Sequence, residues 1–104
     1  MISYKLSKAA KKDLIRIHHY GVKQFGVRQA DKYFNAFFDQ FEIIAQRPYS
    51  FEAVDFIKPG YRRCVCGVDS IYFKVKGNQV LIMAVLGRQE FKADWNIFPI
   101  RFLI

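Results

Sequence analysis

The chain has 104 residues, a net charge of +8, 52 % hydrophobic side chains and eleven Phe, so one packed domain spanning residues 1–104 is expected rather than disorder or two domains. Near its start it reads YKLSKAAKK, without the apolar run of a secretory signal, and its longest charge-free apolar run is the seven residues from Val80, far short of a membrane span. A cytoplasmic chain without a membrane partner is expected, with Cys64 and Cys66 reduced. Two cysteines two apart, with no second pair of ligands, give no reason to expect a metal or a cofactor.

The charge is uneven. Residues 1–28 carry seven Lys or Arg against Asp13 alone, residues 29–57 carry two basic and five acidic side chains, and residues 58–104 carry eight basic and three acidic. Two basic regions flanking an acidic middle suit a nucleic acid, a nucleic-acid machine or an acidic protein as partner.

Ile2 to Leu6 alternates and predicts a short first strand. Ser7 is a good helix N-cap, and Ala10, Leu14, Ile17, Gly21 and Phe25 define the buried stripe of a helix running to about Gln24. Gly21 on that stripe suggests close approach to a second helix. Gly26 ends the first helix, and the second, about Val27 to Gln46, buries Ala30, Phe34, Phe37, Phe38, Phe41 and Ile44. The minimal turn makes the pair an antiparallel hairpin. Pro48 ends the helical pattern, and Arg47 to Pro59 reads as a loop.

Gly60 to Arg88 reads as three consecutive strands. Ile71, Phe73 and Val75 alternate with Tyr72, Lys74 and Lys76, Gly77-Asn78 marks a tight hairpin, and Val80 to Leu86 is a strand covered on both faces. Arg62 and Arg63 point to opposite faces of their strand, while Lys74 and Lys76 share one. Gly87 beside Arg88 would let a partner backbone approach closely. The tail, about residues 89–104, ends in Phe102-Leu103-Ile104, which either folds back on the core or is left for a partner. The order predicts an α+β domain: an N-terminal strand, then an antiparallel helical hairpin packed on a mostly antiparallel sheet of about four strands, then a short C-terminal tail. Where the first strand inserts is not readable.

These residues carry a family likeness. Ser7-x-x-Ala10-x-x-Asp13-Leu14-x-x-Ile17, Gln24-Phe25-Gly26-x-x-x-Ala30-x-x-Tyr33, Pro48, Pro59-Gly60-Tyr61-Arg62-Arg63, Ile71-Tyr72-Phe73-Lys74-Val75 and Val85-Leu86-Gly87-Arg88 follow in the order and spacing of the RelE/ParE superfamily of toxins. The chain resembles its ParE branch most. The resemblance implies a toxin of a type II toxin–antitoxin pair that binds DNA gyrase and traps its DNA-cleavage complex, with no catalytic site of its own. It also implies neutralisation by a cognate acidic antitoxin and higher-order toxin–antitoxin assembly. The alternative within the superfamily is a RelE-type endonuclease that cuts mRNA on the ribosome.

RNA cleavage needs a base for the 2′-OH, an acid for the leaving oxygen and stabilisation of the phosphorane. Arg62, Arg63 and Arg88 could supply the cations and Glu90 a base, but no clear acid and base pair stands among them. For a gyrase inhibitor the expected target contacts are Arg88, Phe91 and Trp95. An acidic antitoxin would meet Lys8, Lys11 and Arg16 on the first helix, and Phe98 and Phe102 in the tail.

Overall fold

The computed structural model describes residues 3–87. In chain order these form β1 (Ser3–Leu6), α1 (Lys8–Phe25), α2 (Val27–Gln46), a 3-10 turn (Pro48–Ser50), β2 (Glu52–Ala53), β3 (Tyr61–Cys66), β4 (Asp69–Lys76) and β5 (Gln79–Gly87). One sheet runs in the order β1-β5-β4-β3-β2, with the helical hairpin packed on one face. The sheet is antiparallel except for β1, which lies parallel to β5 with Ser3 opposite Gln79 and Leu6 opposite Ile82.

The α+β class and the helical hairpin stand as expected, while the strand count rises from about four to five. The extra strand is β2, inside the segment that reads as a loop. Its two residues pair with Arg63 and Arg62, and two residues are too few for a period-2 signal.

Helix α1 starts where the sequence places its cap. The Ser7 hydroxyl accepts from the Ala10 amide at 3.0 Å and donates to the Met83 carbonyl at 2.9 Å, so it ties the helix start to β5. Ser7→Ala is expected to cost about 1–2 kcal/mol, read as a fall of roughly 4–12 °C in the thermal midpoint.

Gly21 is where the two helices meet. A Cβ there would lie 3.2 Å from the Ala30 Cβ, so the glycine permits a helix–helix approach that alanine would crowd. The buried stripe of α1 is shorter than its pattern, because Phe25 at the helix end is 62 % exposed. Helix α2 buries Ala30, Phe37, Phe41, Ile44 and Ala45 fully, with Phe34 and Phe38 half-buried.

Between helices and sheet, Leu14, Ile17, Phe37, Phe41 and Ile44 pack on Ile71, Phe73, Val80, Ile82 and Val85. Cys64 and Cys66 point into the same layer as free thiols, and burial pushes the Cys64 thiol up to about 11, which keeps it protonated. On the other sheet face a second cluster gathers Val54, Tyr61, Tyr72, Ala84 and Leu86, so the central strands are covered on both sides. The β4–β5 register slips between Tyr72 and Phe73, leaving Met83 as an extra residue on β5.

Candidate functional site

Strand β1 ends at Leu6, opposite Ile82, so among the described residues the last part of β5 has no strand on its outer side. Helix α1 takes that place. The Ser7 amide donates to the Ile82 carbonyl at 2.9 Å, and its hydroxyl serves the bulged Met83 carbonyl. One turn further, Asp13 Oδ2 accepts from the Val85 amide at 3.0 Å, and Arg16 Nη2 donates to the Val85 carbonyl at 3.3 Å. Asp13 and Arg16 are 3.6 Å apart, the carboxylate side chain 3 % exposed and the guanidinium side chain 45 %. An acid four residues before Ile17 and three after Ala10 lies on the buried arc, where a carboxylate persists only when paired.

The neighbouring corner holds a second buried carboxylate. Asp69, opposite Gly87, is 6 % exposed. Its Oδ2 lies 2.8 Å from the Tyr33 hydroxyl, which lies 2.8 Å from the Cys66 carbonyl as well. The single hydroxyl proton serves one acceptor at a time. A protonated Asp69 would instead donate to Tyr33 and leave Tyr33 to serve Cys66, satisfying all three groups. Burial raises the Asp69 carboxyl above its ordinary 3.8, and Asp13 adds to this, while Tyr33 and Arg16 oppose it.

A carboxyl held more tightly when folded binds more protons in the native state. Its contribution is therefore greatest at and below the ordinary value and is lost as pH rises through the raised one. Asp69→Asn should remove this slope. The stability difference between wild type and variant, from urea midpoints at a series of pH values upward from about 4, should shift against the wild type as pH rises.

Of the expected RNase cations, the two described ones, Arg62 and Arg63, have separate partners. Arg62 Nη1 donates to the Phe51 carbonyl at 2.7 Å and its guanidinium sits 5.0 Å over the Tyr49 ring, pinning the turn before β2. Arg63 is held by Glu52 at 2.6 Å, with the Tyr72 hydroxyl as a further partner. Lys74 lies 5.7 Å above the Tyr61 ring. Lys8 and Lys11 stand exposed on α1. Arg88, Glu90, Phe91, Trp95, Phe98 and Phe102 lie outside the described residues.

On the outside of the hairpin, Ile15, His18, His19, Asp31 and Phe34 line a shallow groove of about 340 Å³. His18 Nε2 and Asp31 Oδ1 meet across it at 2.7 Å. Among the described residues no group of three or more His, Cys, Asp or Glu could hold a metal ion, and no helix is long and apolar enough to cross a membrane. Asp13 and Asp69 are buried and turned to backbone and tyrosine partners, while Asp31, Asp39, Glu42, Glu52 and Asp55 are exposed beside the surface cations.

The corner formed by Asp13, Arg16, Tyr33 and Asp69 was not singled out from sequence as a site. The signal was present in Asp13, an acid inside an apolar stripe; Tyr33 entered only through the family likeness and Asp69 gave no signal, because their partners are far away in the chain.

Comparison with known proteins fits this architecture. Residues 4–90 match the family model described as ParE toxin of type II toxin-antitoxin system, parDE. Toxin ParE1 of Caulobacter vibrioides is 36 % identical over 86 residues, covering 83 % of this chain and 88 % of that protein. Toxin ParE1 of Mycobacterium tuberculosis is 29 % identical over 94 residues, covering 90 % and 96 %. A solved structure titled as the chromosomal ParDE TA system from P. aeruginosa superposes with a TM-score of 0.74 at 25 % identity, covering 84 % of this chain and 96 % of that one.

The chain belongs to the ParE toxin family of type II toxin–antitoxin systems. It is the toxin half of such a pair, and an antitoxin is its partner.

Proposed function

We propose that this toxin acts on DNA gyrase, binding the enzyme and trapping its DNA-cleavage complex, in the cytoplasm. Arg88, Phe91 and Trp95 make the target contacts. The antitoxin is acidic and engages Lys8, Lys11 and the exposed part of Arg16 on α1, together with Phe98 and Phe102 of the tail. Toxin and antitoxin assemble into higher-order complexes.

One observation carries the reading: a chain of the ParE family whose described cations are spread over separate structural partners. Arg62 and Arg63 are engaged within the fold rather than gathered around one phosphate site, since one pins a turn and the other is neutralised by Glu52. A binding inhibitor needs no such gathering.

Purified chain mixed with gyrase and supercoiled DNA should accumulate cleaved DNA, with gyrase omission abolishing the product. Cuts in mRNA at the ribosomal A site, with gyrase untouched, would replace this reading with the endonuclease. For the antitoxin face, the double charge reversal Lys8→Glu and Lys11→Glu should weaken antitoxin binding at least tenfold and flatten its dependence on salt. Unchanged affinity and salt slope would remove those lysines from the interface.

A further inference from the structure

We propose that Asp13 and Arg16 are positioning residues for target binding: they hold the end of β5 at Val85, where no described strand flanks it, and so fix the backbone that leads into Arg88. The proposal rests on the reading of Arg88, Phe91 and Trp95 as the target contacts.

Backbone N–H and C=O groups at a sheet edge must find partners or water, and an edge without a neighbour opens readily. Strand β1 stops opposite Ile82, yet β5 continues to Gly87. At Val85 both backbone groups are taken by side chains of α1, the amide by Asp13 at 3.0 Å and the carbonyl by Arg16 at 3.3 Å. Two residues on one helical turn thus copy the pair of hydrogen bonds that a strand would have made.

The clamp is rigid for three reasons. Asp13 is 2 % exposed, so its carboxylate has little freedom to relax. Arg16 is braced by Asp13 at 3.6 Å. On the inner side of β5, Asp69 pairs with Gly87, and a Cβ at Gly87 would lie 3.2 Å from Asp69 Oδ1, so the last residue of the strand is packed against a carboxylate itself held by Tyr33. Val85 is therefore held from both sides and Gly87 from the β4 side, just before Arg88, the first of the residues read as target contacts.

The test uses the full chain with three variants. Asp13→Ala removes the acceptor for the Val85 amide, Asp13→Asn keeps an oxygen there, and Arg16→Gln shortens the donor to the Val85 carbonyl. Each is measured by amide hydrogen exchange, by the concentration giving half-maximal gyrase-dependent DNA cleavage, and by the antitoxin dissociation constant, well below its unfolding midpoint. For Asp13→Ala, exchange at Val85 to Gly87 should rise at least tenfold while Gln79 and Val80 stay protected. The cleavage midpoint should rise at least tenfold with antitoxin affinity within threefold, and Asp13→Asn should recover most of both effects. Arg16→Gln should show the exchange change at lower amplitude, and its exchange and cleavage readouts carry the test if Asp13→Ala does not fold, its antitoxin affinity being expected to fall because Arg16 is also read as an antitoxin contact.

Unchanged exchange at Val85 to Gly87, or in Asp13→Ala a potency loss matched by a proportional loss of antitoxin affinity, would overturn the proposal and leave the pair as ordinary fold stabilisers. If the wild-type chain does not trap gyrase, the gyrase reading fails on that result, and the exchange measurement alone decides the clamp.

Discussion

Gly67→Val is expected to remove about 2–5 kcal/mol of stability, a large share of the 5–15 kcal/mol typical of a small domain. Gly67 sits in the turn from β3 to β4 at φ 61°, a conformation that β-branched residues rarely adopt. A Cβ there would also lie 2.6 Å from the Tyr33 ring and 2.7 Å from its hydroxyl. Tyr33 cannot move aside cheaply, since its hydroxyl is held between Asp69 and Cys66 and its ring stacks edge-on against Phe37 at 4.9 Å. The two costs separate in a double-mutant cycle. Gly67→Val in a Tyr33→Ala background should regain the steric part and keep the backbone part, giving a coupling of roughly 1–3 kcal/mol in urea melts. A loss below about 1 kcal/mol for the single variant would mean that turn and ring are not locked together.

Phe41→Ala should cost about 3–5 kcal/mol. Phe41 is fully buried in the layer between α2 and the sheet, with ring centroids of Tyr4 at 5.3 Å, Phe38 at 5.4 Å and Phe37 at 6.5 Å. Truncation leaves a cavity bordered by β1 and by its own helix, whose rings are fixed by one another, so collapse around the gap is incomplete. Phe25→Ala is the matched control. Phe25 is 62 % exposed, so its loss should stay within about 0.5 kcal/mol even though it lies on the same apolar pattern in the sequence. Equal urea midpoints for the two variants would contradict the placement of the core.

That contrast shows what periodicity reveals. The α1 and α2 stripes, the Ser7 cap, the close approach at Gly21 and the Gly77-Asn78 hairpin are local patterns, and each was legible residue by residue. The pattern overran at Phe25, because a helix end can carry an apolar residue that the sheet does not reach. Strand β2 was missed because two residues have no period. The place of β1 depends on a parallel crossover past two helices and three strands, which no local signal encodes.

The candidate site divides in the same way. Arg62 and Arg63 stood out as a pair, and their assignment to opposite sides followed from strand alternation; that Arg62 pins Phe51 and Arg63 binds Glu52 required the fold. The Asp13–Arg16 grip on Val85 joins the first helix to the last described strand. Only the burial of an acid within an apolar stripe hinted at it.

The measurement closest to the central claim is gyrase-dependent DNA cleavage by the wild-type chain beside the full-length double variant Arg88→Ala, Trp95→Ala. The wild type should accumulate linear DNA in proportion to toxin. The double variant should need at least tenfold more for the same yield, since contacts of this type each carry about 2 kcal/mol or more when central to an interface, while its antitoxin affinity stays the same. No cleaved DNA from the wild type, together with cut mRNA on translating ribosomes, would contradict the account.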